Sequence, residues 1–574
     1  MLILKPSPHG HIGYFHAYVG GTHFRRYLDA IKNIPSRRWD NQNKVWVINI
    51  SDYWILKKEL ERLELRNITI DEGLSKIFSQ YKAWEQSYIE LCNSEDAEIP
   101  VDESTLKMKL MPHQRVALAF MLRRKLGING SEMGTGKTFP AIVCAKYLKE
   151  QGLIRDCLVV CIASIKWNWA FEIKKCVSGL SFQVIEGESM ERAAQYMSKA
   201  DVKIVNYELL RNDIEPILHD RVFDCIIVDE IHRIRSHNTK QTKALYKLGK
   251  KAKYRYGLTG TPIHNKLDDL YSIMRFIHPK FFGEWFPFDR RYCVRGYFGN
   301  VTGYQHLNEV HEKIKTVMFR KLKSEVLQNL PPKVYNDIFI DLTYRQRKFY
   351  RDTARRILDS QYEEVDNCVR QSNILANVTY LREICDSTEL VDPSLRESAK
   401  MDELKRIIPE LIENGHKIVI FSQFEKMVQI IARELKFPSI LLHGGIPVAG
   451  GARDKLIHQF STSKTHNLFI MTTAGGEGIN LQAADYIILF DLPFNPQVIA
   501  QVEDRLHRKG QQSTVNVIKL IARETIEERV LEILQFKTDL FREVIDGMTG
   551  EPVSVSQKEI LNALAKSEEE VHVD

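Results

Sequence analysis

Seven short runs of apolar, mostly β-branched residues punctuate the chain: LVVCIAS, KIVNYE, CIIVDE and YGLTGT, then KIVIFSQ, NLFIMTT and YIILFDL. Each gives way to polar or glycine-containing residues and then to a helical pattern. Runs without alternation suit strands buried on both faces of a parallel sheet, since a strand with one wet face would show a period of two. The runs cluster in roughly 125–262 and 416–491, which predicts two α/β lobes. Between the clusters, 263–400 carries long charged and aromatic patterns such as LDDLYSIMRFIHPKFF and TYRQRKFYRDTARRILDSQYEEV, which read as helices. No low-complexity tract or short repeat interrupts this plan.

A length of 574 residues exceeds what one hydrophobic core supports, about 250–300 residues, so three or four units are expected. With 44% hydrophobic and 27% charged residues, disordered, collagenous and membrane classes are excluded. The net charge of +7 is too small to name a polyanionic partner, but it is unevenly placed. Residues 1–50 hold seven Lys and Arg against two Asp, 91–105 holds five acids and no cation, and 551–574 holds six acids against two lysines. The nine cysteines include no CxxC pair, and Cys157 and Cys161 sit inside an apolar run, as buried hydrophobes in a reducing compartment would. MLILKPSPHG breaks at Lys5 and Pro6 before a signal-peptide core could form, and no window reaches 18 apolar residues. The expectation is a protein with no membrane partner, cytoplasmic if bacterial or phage-encoded and nuclear if eukaryotic.

Three separated segments carry candidate chemistry. In Gly130-Ser131-Glu132-Met133-Gly134-Thr135-Gly136-Lys137-Thr138, a glycine-rich turn leads from an apolar segment into a helical one. Such a turn aims backbone N–H groups and the positive helix end at a phosphate. Lys137 would reach the β and γ phosphates and the Thr138 hydroxyl would ligate Mg²⁺. The strict pattern has Gly where this chain has Ser131. Asp229 and Glu230 close the run CIIVDE, where Asp229 would hold the magnesium and Glu230 would orient and polarise the attacking water. Paired acids there otherwise read as a strand cap. Arg505 and Arg508 lie three apart, which predicts one helix face and a cationic fork for the phosphoryl transition state. The alternative is an exposed basic helix.

The ordered set LMPHQ, SEMGTGKT, ASIKWNWAFE, IVNYE, DEIH, LTGTPIHN, FRKLKSEVLQNLPPK, IVIFSQF, TTAGGEGINLQ, DLPFNP and QVEDRLHRKGQ resembles superfamily 2 ATPases of the Swi/Snf type over about 105–525. The resemblance implies two RecA-like parallel-sheet lobes with helical insertions, ATP and Mg²⁺ as cofactors, and ATP bound between the lobes. It assigns Gln114 to adenine recognition, Met133, Gly134, Thr135, Gly136, Lys137, Thr138 and Gly478 to the nucleotide, and Thr259, Gly260 and Thr261 to coupling hydrolysis with lobe movement. It places Lys166, Asn206, Ser422, Gln423 and Thr473 in blocks that face DNA. Ser131, Ile231, Phe494 and Lys509 depart from the family's usual Asp, Ala, Trp and Ile, and none removes a group that performs chemistry.

In the basic head, aromatics alternate with Arg and Lys in FRRY and in IPSRRWDNQNKVW, as on surfaces that stack bases and grip phosphates. IPSRRWD followed by KVWVI resembles the HARP module of annealing-helicase relatives. Arg25, Arg37 and Arg38 are the head's candidate DNA contacts. The alternative is a small β-rich domain in which Trp39, Trp46 and Trp54 are core. The run Lys313, Lys315, Arg320, Lys321 and Lys323 reads either as a duplex-facing protrusion or as a solvated face.

The expected domains are a small α+β, HARP-like DNA-binding head (1–90), an acidic linker (91–105), lobe one (106–275), a helical protrusion region (276–400), lobe two (401–540) and an acidic tail (541–574). The expected function is an ATP-dependent translocase on duplex, forked or junction DNA, favouring reannealing or fork remodelling. A strand-separating helicase on DNA or RNA is the alternative. A nucleotide-gated binding scaffold would hydrolyse ATP too slowly to move, whereas all the hydrolytic groups are present. Nucleosome sliding is disfavoured because the motor fills most of the length with no added histone-reading or zinc module.

Overall fold

The computed structural model describes residues 1–7, 13–260, 266–296, 301–327, 330–361, 367–446, 452–463, 465–473, 479–508 and 510–546. They form two compact units, Met1–Val326 with 540–546, and Leu327–Asp539.

Unit one begins with a five-stranded sheet of β1 (Leu2–Pro6), β2 (Tyr14–Val19), β3 (Arg38–Asp40), β4 (Val45–Asn49) and β5 (Ile68–Ile70), ordered β3-β4-β2-β1-β5. Alternate residues Leu2 and Leu4 of β1 and Phe15 and Ala17 of β2 bury against Tyr27, Ile31, Ile55 and Leu56 from two helices. This is the α+β head, and it has its own core. Trp39 is 46% exposed and Trp54 is 36% exposed, so neither is core, while half-buried Trp46 packs its ring against Trp39 at 5.1 Å.

The first α/β lobe follows: β6 (Leu126–Asn129), β7 (Cys157–Cys161), β8 (Phe182–Val184), β9 (Val202–Asn206), β10 (Cys225–Asp229) and β11 (Tyr254–Leu258). A hairpin of β12 (Cys293–Arg295) and β13 (Val301–Tyr304) precedes β14 (Met318–Phe319), which returns to the sheet beside β6. The order β14-β6-β11-β10-β7-β9-β8 is parallel throughout. All four predicted runs of this lobe are strands, and β7, β9, β10 and β11 are buried at every position. That double-sided burial explains their continuous apolarity.

Unit two holds the second parallel sheet: β15 (Lys333–Ile340), β16 (Ile418–Phe421), β17 (Ser439–Leu442), β18 (Leu468–Met471), β19 (Tyr486–Leu489) and β20 (Val515–Ala522), ordered β15-β20-β19-β16-β18-β17. A buried cation anchors its core. Lys400 donates to Asp386 at 2.8 Å, to Glu527 at 2.6 Å and to the Phe490 carbonyl at 2.8 Å.

The region 276–400 is not one helical element. It does contain the expected helix Tyr344–Gln361, but β14 belongs to the first sheet and β15 to the second. Nor is the head set apart by the acidic connector. Ala97, Ile99 and Val101 pack against the lobe-one core, and Asp96 pairs with Arg115.

The head is joined to the later part of unit one by buried charge. Lys313 pairs with Asp52 and donates to the Phe281 carbonyl at 3.0 Å. Arg291 reaches Glu309 at 2.8 Å, Glu59 at 3.1 Å and the Asn33 carbonyl at 3.2 Å. Gly283, at φ +74°, lies so close to Pro35 that a Cβ there would meet its carbonyl oxygen at 2.4 Å. Lys313 is therefore a buried structural cation and not part of a duplex-facing surface, while Lys315 pairs with Glu312 on the helix face.

Candidate nucleotide-hydrolysis site

The phosphate-binding turn runs from the carboxyl end of β6 into the helix Thr138–Glu150. Gly134 and Gly136 both sit at φ +80°, a left-handed conformation that glycine adopts without a Cβ clash. Lys137 curls over the turn and donates to the carbonyls of Ser131 at 2.9 Å and Glu132 at 3.0 Å. The Thr135 carbonyl meets His113 Nε2 at 2.9 Å, and Gln114 Nε2 donates to Thr135 and Gly136 carbonyls, both at 3.3 Å. Gln114 thus braces the turn from the helix Pro112–Arg124.

A second brace comes from the chain around β14. Arg320 donates to the Gly130 carbonyl at 2.9 Å, the Lys321 N–H to Ser131 Oγ at 3.3 Å, and the Lys323 N–H to Glu132 Oε2 at 2.6 Å. Of the run expected to face a duplex, Arg320 supports the phosphate turn through its guanidinium and Lys321 and Lys323 through their backbone N–H groups. Ser131, the departure from the strict pattern, uses its hydroxyl in this contact.

Asp229 ends β10 and Glu230 follows in the left-handed region at φ 48°. The turn is held by Tyr207, whose hydroxyl donates to the Asp229 carbonyl at 2.6 Å and the Glu230 carbonyl at 3.2 Å. Asp229 Oδ2 accepts from the Trp169 indole at 2.8 Å and Oδ1 accepts from the Glu230 N–H at 2.9 Å. Burial, reinforced by the neighbouring Glu230 charge, pushes the Asp229 carboxyl up to about 6, against the pull of Trp169 and Lys137. A desolvated carboxylate beside the phosphate turn favours an arriving cation. One carboxylate and one hydroxyl, completed by phosphate oxygens and water, is a donor set that suits Mg²⁺. Among the described residues no cluster of three or more His, Cys, Asp or Glu offers an all-protein metal cage.

His232 connects this turn to the next motif. Its Nδ1 is 3.2 Å from Glu230 Oε2 and 3.2 Å from Thr259 Oγ1. Thr259 is fully buried beyond β11, and its N–H donates to the Asn129 carbonyl at 3.1 Å. Gly260 lies against Met133. Thr261 and Gly478 lie outside the described residues, as do Lys509 and 547–574.

Within unit two, the helix Pro496–Leu506 is pinned to β15 by Glu503, which accepts from Lys333 at 2.6 Å and Tyr335 at 2.9 Å. Arg505 stands in its last turn. Arg508 does not share its face: the helix ends at His507, which leaves the helical region at ψ 77°. Arg508 lies in the following turn, half-buried, with Nη1 3.4 Å from the Ile479 carbonyl.

Several expected DNA contacts are turned inward. Lys166 is buried, donating to the Ile185 carbonyl at 3.0 Å with Glu186 at 3.8 Å. Asn206 caps the helix Tyr207–Asp213 through its carboxamide oxygen. Ser422 is fully buried and donates to Asp491 at 2.5 Å, and Gln423 binds the same carboxylate at 2.9 Å. Thr473 is half-buried, and Arg25 and Arg38 are exposed. Phe494, in place of the family's Trp, receives the Arg382 guanidinium over its ring at 4.7 Å. Trp169, Tyr207 and His113 are not singled out as site residues by sequence, and Arg320 is singled out only in a run read as duplex-facing or solvated. Trp169 and Tyr207 do stand inside the quoted blocks ASIKWNWAFE and IVNYE, which was the available signal.

A phosphate turn at one strand end, an Asp-Glu pair at the end of a strand two places away in the sheet, and a second parallel-sheet unit define a P-loop nucleotide hydrolase. Residues 113–390 match the SNF2-related domain and 399–510 match the helicase conserved C-terminal domain. The chain belongs to the Swi/Snf-type superfamily 2 ATPases. It is 30% identical over 443 residues to an uncharacterized ATP-dependent helicase of Mycoplasma genitalium, covering 76% of this chain and 42% of that protein. It is also 30% identical over 465 residues to the human DNA annealing helicase and endonuclease ZRANB3, covering 77% of this chain and 41% of that protein. The chain thus spans about two fifths of the length of these relatives. A solved SWI2/SNF2 ATPase core from Sulfolobus solfataricus in complex with dsDNA is 30% identical, with a TM-score of 0.40, covering 78% of this chain and 96% of that one.

Proposed function

We propose that this protein is an ATP-dependent DNA translocase that couples ATP hydrolysis to movement on duplex or branched DNA, and that it reanneals strands or remodels forks. The observation that carries the hydrolytic part is the desolvated Asp229 carboxylate, held by Trp169 beside the phosphate turn and followed by a strained Glu230. Thr138 and Asp229 would hold Mg²⁺, which neutralises phosphate charge when bound. Glu230 would orient the attacking water and Lys137 would release its two carbonyl partners to grip the β and γ phosphates. Arg505 and Arg508 would supply the cations for the transition state, and Gln114 would exchange part of its hold on the turn for adenine.

The DNA part rests on the human relative's name as an annealing helicase and on a basic head with exposed Arg25, Arg38 and Trp39. A forked-duplex assay separates the two readings. The expected result is ATP-dependent rewinding of complementary strands. Efficient strand displacement without reannealing would instead make the protein an unwinding helicase. Loss of DNA-stimulated turnover altogether would leave a nucleotide-gated scaffold.

A further inference from the structure

The head and lobe one line two half-open clefts, sharing Tyr14, that the hydrolytic site does not use. The smaller, about 230 Å³, is lined by Tyr14, Arg37, Arg38 and Asp40 of the head and by Lys280 and Glu284 of lobe one. The larger, about 460 Å³, is lined by Tyr14, Tyr81, Trp84, Arg124, His278 and Phe281. Tyr14 lies in both walls, and Lys280 sits over its ring at 5.4 Å.

The smaller cavity is built for an anion. Among the described residues, Arg37, Arg38 and Lys280 form no ion pair with a carboxylate, and Arg37 Nη1 donates only to the Ile34 carbonyl at 2.9 Å. Asp40, in the same wall, is engaged by the N–H groups of Gln42 and Asn43 and by the Asn43 amide in the β3–β4 turn. Arg37 is half-buried, and both that burial and the nearby Arg290 disfavour its charge. The three cations outnumber the two carboxylates that line the same cleft, Asp40 and Glu284, and a half-buried guanidinium paired with neither favours an added anion.

The larger cavity is built for a flat ring. Its walls offer Tyr81, Trp84 and Phe281, with Arg124 over the Trp84 ring at 4.6 Å. His278, kept neutral by burial, has an Nδ1 without a hydrogen-bond partner among the described residues. The volume falls within the range of small-molecule sites, about 300–1,000 Å³, and far below what a duplex requires. Aromatic walls beside a cationic cleft are the arrangement that binds unpaired bases and their phosphates.

We propose that these neighbouring clefts bind one unpaired nucleotide of a DNA strand, with the base in the larger cleft and its internal phosphodiester on Arg37, Arg38 and Lys280. A paired base could not enter, so the site distinguishes single strand from duplex. Because buried ion pairs tie the head to lobe one, occupancy is reported directly to the lobe that carries the phosphate turn. The inference rests on reading the protein as a DNA-dependent motor, but it is tested without ATP.

The experiment uses the full chain and a single-stranded oligonucleotide carrying one 2-aminopurine, with anisotropy and base fluorescence read together. Lys280→Glu is compared with Lys76→Glu, an equal charge change at an exposed position on the head's long helix. The expected result is at least a tenfold loss of affinity for Lys280→Glu and under twofold for Lys76→Glu. Quenching of the base should occur with the natural chain and be lost in Trp84→Ala at saturating oligonucleotide. Equal affinity loss in the two lysine variants, or quenching retained in Trp84→Ala, would overturn the proposal. A requirement for a 5′-phosphate would also overturn it, by assigning the cleft to strand ends. Duplex stimulation of ATPase in the natural chain, measured separately, reports on the motor reading alone.

Discussion

The Trp169 indole N–H donates to Asp229 Oδ2 at 2.8 Å, tying the block ASIKWNWAFE to the carboxylate proposed to hold magnesium. Both residues are buried, so the bond is made where water cannot replace it. Hydrogen bonds to charged groups contribute roughly 1.5–3 kcal/mol. Trp169→Phe keeps much of the ring packing and removes the donor. It should raise the Mg²⁺ concentration needed for half-maximal ATPase by about tenfold or more, which about 1.4 kcal/mol per decade implies. Mg²⁺ titration of steady-state turnover checks this, and an unchanged midpoint would remove Asp229 from the metal site.

The contact between His232 and Thr259 offers a route from the hydrolytic turn to the end of the adjacent strand. Thr259→Val preserves shape and removes the hydroxyl. Nucleotide affinity should change by less than about fivefold, since the net worth of one neutral hydrogen bond is about 1 kcal/mol. DNA stimulation of ATPase should fall by considerably more. Comparing ATP-analogue binding with stimulated turnover decides between this coupling role and a purely structural one.

Lys137→Ala and Glu230→Gln should both reduce DNA-stimulated ATPase by more than about a hundredfold, yet differ in stability. Lys137 bonds two carbonyls of its own turn, so its loss loosens that turn. Glu230→Gln keeps length and removes a charge beside desolvated Asp229, so it should be neutral or stabilising in urea denaturation. DNA affinity should survive in both. Parallel loss of DNA binding and hydrolysis in either variant would contradict the assigned roles.

The seven apolar runs were legible because doubly buried parallel strands leave few polar positions to blur the pattern, Lys203 and Asn206 of β9 and Arg255 of β11 being buried exceptions. The candidate nucleotide site stands out for a related reason: Lys137, Asp229 and Glu230 lie in short contiguous strings whose residue types suit phosphate chemistry. The supports do not stand out. Arg320 reaches the Gly130 carbonyl across 190 residues, and nothing in FRKLK distinguishes an inward-facing arginine from one that faces DNA. The Arg505 and Arg508 spacing suggested one helix face because a helix end at His507 carries no glycine or proline signal. Lys313 looked like surface charge because its partner, Asp52, lies 261 residues away.

Lys400 in unit two gives a stability prediction with a pH signature. Lys400→Met leaves Asp386 and Glu527 buried without their cation, and breaking such a pair costs roughly 3–5 kcal/mol. Burial already holds the Asp386 carboxyl well above the usual carboxylate range, with Lys400 opposing that rise. Without Lys400 the carboxyl rises further. A carboxyl raised in the folded state favours folding below its unfolded value and loses that advantage as pH climbs through the folded value. The deficit of the variant relative to the natural chain should therefore shrink as pH falls from about 7.5 towards about 5.5. Urea midpoints across that range measure it.

A head that acts as a tethered accessory could be removed without harm to the motor, but the seam described above forbids that. A chain lacking residues 1–90 takes Asp52 from Lys313 and Glu59 from Arg291 and opens to water the seam in which both are buried, exposing apolar surface such as Phe281 and Phe282. In the intact chain, stranding a buried charge costs about 3–5 kcal/mol, a large share of a typical 5–15 kcal/mol stability. The truncated chain should lose both stability and basal ATPase. Asp52→Ala alone should reproduce much of the stability loss, because it strands the same lysine. Arg38→Glu, at an exposed position, should keep the melting temperature and flatten any preference for forks over plain duplex. Thermal melts beside fork-versus-duplex ATPase stimulation test all three, and a truncated chain with full stability and basal turnover would show that the head is an independent module after all.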